Sequence, residues 1–186
     1  MSPSPYFTIP FLLVMAIFQS VAAPRLTVYG VRPDLMLVSV TAWSLLAAFR
    51  ARDLQYAGEG PNLLRGINDG VVWAFVGGMF LDLLSSGPLG ANALALMVTA
   101  LAVGVIGVRV SGAAPILVPL MAALGTLIYN LVYLAVLALT GQPVFLDVYM
   151  NRFILPGVVF NLALVPVVYL LLMMVDRRTS RERIEW

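Results

Sequence analysis

Long apolar runs alternate with short clusters of charge along this chain. The stretches free of charged residues are 1–24, 35–49, 70–81, 83–108, 110–146 and 153–175. A helix needs about 20 mainly apolar residues to cross a hydrocarbon layer about 30 Å thick. Runs 1–24, 83–108 and 153–175 each fit one crossing. Run 110–146 also fits one, because Gly141-Gln142-Pro143 closes its apolar part. Leu35–Phe49 is short, and spans if Val31 and the aliphatic stem of Arg50 extend it while the guanidinium snorkels to water. Gly70–Ser85 spans if Asp82 is accepted inside or near the membrane. The pattern therefore predicts helices near 6–23, 34–50, 66–85, 91–108, 114–139 and 153–175. That is an all-α integral membrane protein, a six-transmembrane-helix bundle forming one domain over 1–186. The same reading places a loop at 51–65 and a tail at 176–186.

Composition agrees. Apolar residues make up 61% and charged residues 11%, against about a quarter charged in a soluble domain. Mean hydropathy is +0.97. The chain has no Cys, no His and no Lys, so all 11 basic residues are Arg. Thiol nucleophiles, Ser-His-Asp triads, zinc sites with N or S ligands, Schiff-base lysines and P-loop lysines are all excluded. No cofactor or metal is expected. Residues 1–23 lack the basic start of a signal peptide, and cleavage after Ala23 would leave Pro24 next to the cut, so a retained first span is expected.

Arginine placement predicts orientation. With six crossings, both termini share a side with Arg50, Arg52, Arg65, Arg109, Arg177, Arg178, Arg181 and Arg183, which is 8 of the 11. Arg25, Arg32 and Arg152 fall on the other side. Short loops rich in Arg stay cytoplasmic, so both termini are expected in the cytoplasm. No basic face large enough for nucleic acid exists. The polar segments are too short to build a core of their own, which leaves helix faces, short loops and membrane lipid as the contact surfaces. Pro61 suits a helix start, so the third helix is expected to project from the membrane, with a plain loop as the alternative. Gln142–Asn151 is expected to lie along the outer interface.

Asp82 is the most expensive residue in this arrangement. A central Asp costs roughly 2.5 to 3.5 kcal/mol on insertion scales, so it should face the bundle interior and find partners. Arg32, Asp34 and Asn92 sit at the same depth. Asp82 is expected to pair with Arg32, or to accept hydrogen bonds from Asn92 or nearby backbone N–H groups; the alternative is contact with interfacial water. Asp34 can cap the second helix, where a carboxylate meets free N–H groups and a favourable dipole. Gly70, Gly77, Gly78, Gly104 and Gly107 are expected close-contact points. The turn Ser85-Ser86-Gly87-Pro88-Leu89-Gly90 forces helices three and four into an antiparallel hairpin, with Gly87 and Gly90 free to take positive φ. Asn130 and Asn161 are expected to bond between helices, with ligand contact as the alternative.

The run from Gly77-Gly78 through Asp82 and Gly87-Pro88-Leu89-Gly90 to Asn92 resembles the signature of the rod shape-determining protein MreD family. Arg32-Pro33-Asp34-Leu35 is similar to that family's entry into its second helix. The sequence match covers residues 31–49 and 70–100, and the longer Arg50–Asp69 segment departs from the family pattern. The resemblance implies a non-enzymatic scaffold of the bacterial cell-elongation machinery, in the cytoplasmic membrane. Such proteins bind the single-span protein MreC, and through it connect the RodA glycosyltransferase and a penicillin-binding transpeptidase to MreB filaments; a homo-oligomer stays open. It also implies a fold resembling the substrate-binding subunit of energy-coupling-factor transporters. Arg32, Pro33, Asp34, Gly77, Gly78, Asp82, Gly87, Pro88, Gly90 and Asn92 are then the candidate structural or partner-contact residues. Two other classes compete. A small-molecule transport subunit would use Asp82, Asn92, Asp147 and Asn161 in an outward pocket. An intramembrane aspartyl peptidase would pair Asp82 with Asp147, but its usual motifs are missing.

Overall fold

The computed structural model describes residues 5–21, 34–56, 63–110, 117–143, 149–150 and 154–181. Six α-helices occupy them: α1 Pro5–Val21, α2 Leu35–Tyr56, α3 Leu63–Leu84, α4 Ala91–Arg109, α5 Leu117–Leu139 and α6 Leu155–Arg181. No strand occurs among the described residues. Helices α2 to α6 are each long and apolar enough to cross a membrane, and α1 adds the shorter apolar piece Ile9–Val21. The chain is a multi-pass helical membrane bundle.

Three ends depart from the expected boundaries. Helix α2 continues to Tyr56 and α3 already starts at Leu63, so most of the loop expected at 51–65 is helical. Helix α6 runs to Arg181, taking in half of the expected tail at 176–186. The bilayer edge does not stop a helix. Ala51-Arg52-Asp53-Leu54-Gln55 contains no breaker, and the first strong ones are Gly58 and Gly60-Pro61. The start of α3 at Pro61 and most of the interfacial piece Gln142–Asn151 lie outside the described residues.

The helices are arranged as an arc around an axle. Helix α2 touches α1, α3, α4, α5 and α6, while the outer helices follow each other in the order α1, α3, α4, α5, α6. Every residue from Met36 to Phe49 is buried. The apolar span of α2 is 83% buried, that of α6 only 17%. Ser39, Thr41 and Ser44 of this membrane helix are therefore surrounded by protein, not lipid. Glycines bring the axle close to α3. A Cβ at Gly66 would stand 2.6 Å from the Ala51 methyl, one at Gly70 2.6 Å from Ser44 Oγ, and one at Gly77 2.7 Å from Met36 Sδ. The sequence reading missed Gly66, because its neighbour Ala51 was assigned to a loop. Trp43 of α2 stacks on Trp73 of α3 with ring centroids 4.5 Å apart, and Phe11 of α1 leans on the same ring.

Candidate functional site

The first four N–H groups of an α-helix have no partner inside the helix. In α4 the residue before the helix is Gly90, at φ 88, which has no side chain to cap them. The cap comes from α3 instead. Asp82 Oδ1 accepts from the Asn92 backbone N–H at 3.0 Å and from Asn92 Nδ2 at 2.9 Å, and Oδ2 accepts from the Ala93 N–H at 3.0 Å. Pro88 O takes the Ala91 N–H at 3.2 Å. The carboxylate also sits where the helix dipole favours negative charge. Asp82 is 1% exposed, so the alternative of contact with interfacial water does not hold.

The short turn makes this cap possible. Positive φ at Gly90 lets the chain double back, and the helices then touch directly: a Cβ on Gly78 would lie 2.3 Å from the Ala93 Cα. Gly78 therefore marks a close approach of α3 to α4, one turn from the carboxylate. Gly87, also free to take positive φ, is not among the positive-φ glycines. It precedes Pro88, whose ring restricts the residue before it. Gly104, expected as a close contact, meets Ile67 only at ordinary distance, whereas a Cβ on Gly107 would meet the Ala48 methyl at 3.0 Å.

The network extends to a third helix. The Tyr129 hydroxyl of α5 donates to Asn92 Oδ1 at 2.6 Å, and all three side chains are buried. Tyr129 was not singled out from the sequence, where nothing marks its partner 37 residues away on α4. The Tyr133 ring stacks on Tyr129 at 6.0 Å. At the same end of the bundle, Asp34 caps α2. Its Oδ1 accepts the Leu37 N–H at 3.0 Å and Gln19 Nε2 of α1 at 2.9 Å, while Gln19 Oε1 accepts the Met36 N–H at 2.7 Å. Gln19, the one amide in α1, thus completes the cap and pins α1 to the axle. Arg32 and Pro33 lie outside the described residues, as does the Asp82–Arg32 pairing; so does Asp147.

At the opposite end, Arg52 donates from Nη1 to the carbonyl of Val110, just past the end of α4. The helical extension of α2 beyond Phe49 carries the guanidinium there. Asp69 of α3 interacts electrostatically with Arg50. Deeper in the bundle, Asn161 Nδ2 of α6 donates to Thr126 Oγ1 of α5 at 3.1 Å. Asn130 does not bond between helices as expected. Its Nδ2 turns back to the Thr126 carbonyl in its own helix at 2.7 Å. No group of three or more acidic, His or Cys residues that could hold a metal occurs among the described residues.

No family model, characterised protein or solved structure matches the chain.

Proposed function

We propose that this chain is a non-enzymatic scaffold subunit of the bacterial cell-elongation complex, similar to the rod shape-determining protein MreD family. It binds MreC, and through it links the RodA glycosyltransferase and its penicillin-binding transpeptidase to MreB filaments. Both termini face the cytoplasm.

The observation that carries this reading is the use of Asp82. The residues of the resemblance, from Gly77 to Asn92, form one architectural device: a close glycine contact, a reversing turn and a carboxylate cap. Both oxygens of that carboxylate are held by α4. Aspartyl chemistry would need it free to carry a proton and activate water, whereas a scaffold needs a rigid frame for helix faces. Asn92, a polar group that a transport pocket would use, is likewise committed to Asp82 and Tyr129.

The test is depletion in the native host together with capture of tagged MreC from its membranes. Rod-shaped cells should round up as the chain is depleted, and the chain should co-purify with MreC in mild detergent. Normal shape after depletion, with no chain recovered alongside MreC, would refute the proposal.

A further inference from the structure

The polar groups where α5 meets α6 are incompletely used. Thr126, Asn130 and Asn161 form a cluster within the two spans Leu117–Leu139 and Leu155–Met174. Thr126 Oγ1 donates to the Ala122 carbonyl and accepts from Asn161. Asn161 is 2% exposed, yet its Oδ1 has no partner. Exchanging the two ends of that amide would only leave the nitrogen unpartnered instead. Asn130 is half-buried, and its side-chain carbonyl accepts no hydrogen bond among the described residues. It stands about 14 Å along the helix from Leu139, well inside the hydrocarbon layer. Lipid tails cannot donate hydrogen bonds, so an open amide at this depth carries a penalty that only another polar group removes.

Around this cluster the surface is apolar and open. Leu127 and Leu131 of α5 and Leu162 of α6 are exposed, and α6 is the least buried of the five long helices. From these observations we infer that the α5–α6 seam at Asn130 is a docking site for a transmembrane helix of a partner protein. That helix supplies a hydroxyl or amide donor to the side-chain carbonyl of the half-buried Asn130. The amides choose the register along the seam, and the flanking leucines supply the packing. The exposed side of α1, by contrast, offers Ile9, Leu13, Val14, Ile17 and Phe18.

This inference rests on the reading that the chain binds a single-span partner, and one experiment separates the two. A photo-crosslinking residue is placed at Leu127 in the full chain in native membranes, with Val14 on α1 as the control site. Crosslinking to a single-span protein from Leu127 and not from Val14 is expected. Asn130→Leu should lower the partner recovered about threefold to tenfold, the usual size of one interhelical hydrogen bond. Asn130→Gln, which keeps the amide, should restore most of it. A Leu127 adduct with a second copy of this chain, or with lipid alone, overturns the site. So does unchanged recovery with Asn130→Leu while the single-span protein is still captured. Failure of the unaltered chain to capture any single-span protein refutes the functional reading itself.

Discussion

Asp82→Ala tests the remote cap most directly. The substitution removes the acceptor for two backbone N–H groups of α4 and one amide N–H of Asn92. A buried donor stripped of its partner costs about 1–3 kcal/mol, so three donors give a gross loss of about 3–9 kcal/mol. Relief of a desolvated charge offsets about 2.5–3.5 kcal/mol of that. Asn92 and the α4 terminus recover a further part by finding other partners. The expected net destabilisation is about 3 kcal/mol, a value reserved for disrupted buried networks. Reversible unfolding in mixed micelles by increasing fractions of a denaturing detergent measures it, with tryptophan fluorescence as the probe. Trp73 reports on α3 directly, since it stacks against the axle. Asn92→Ala should be strongly non-additive with Asp82→Ala, with a coupling of about 1 kcal/mol or more. A loss below about 0.5 kcal/mol, or strict additivity of the two substitutions, would refute the capping argument.

Gly78→Ala should cost more than about 3 kcal/mol in the same assay, because its Cβ would meet the Ala93 backbone at 2.3 Å and the helices would have to separate; Gly104→Ala, with its nearest neighbour at 3.5 Å, should change stability by less than about 1 kcal/mol. Tyr129→Phe should cost about 1 kcal/mol, the ordinary worth of one hydrogen bond, and should lose that effect in an Asn92→Ala background. The chain has no cysteine of its own, so Leu89→Cys at the hairpin tip, 76% exposed, should react with a membrane-impermeant maleimide added to intact cells. A cysteine appended after Trp186 should stay unlabelled until the membrane is opened; the reverse pattern would invert the proposed orientation.

Much of the site was readable from the order of residues. Asp34 stands immediately before an apolar run, and a carboxylate there has few roles other than a cap. Asp82 lies ten residues before Asn92, with a turn between them too short for its helices to diverge, so its contact with the head of α4 follows from chain geometry. Tyr129, Gln19 and Arg52 were not readable in this way. Each completes a cap begun elsewhere, at a sequence separation of 37 from Asn92, 15 from Asp34 and 58 from Val110. Which residue fills such a role depends on how helices rotate about their own axes when they pack. Local patterning carries no record of that. Asn130 shows the same limit from the other side: its amide nitrogen bonds back within its own turn, a choice open to any Asn in a helix.

Alone, the order of residues determined that this chain dissolves in lipid, and roughly where it crosses. Both depend on the summed transfer energy of about 20 neighbours, which is a property of the local sequence. The inside of the bundle was decided by the tertiary structure. Judged by apolarity, α6 looks like the core and α2, with Ser39, Thr41 and Ser44, looks like the margin. The fold reverses this, enclosing α2 on every side and leaving α6 to the lipid. The physical reason is that a membrane removes the usual incentive to bury apolar surface. Packing is decided instead by close fit, as where Gly66, Gly70 and Gly77 of α3 meet α2. The helix with small side chains makes the better axle.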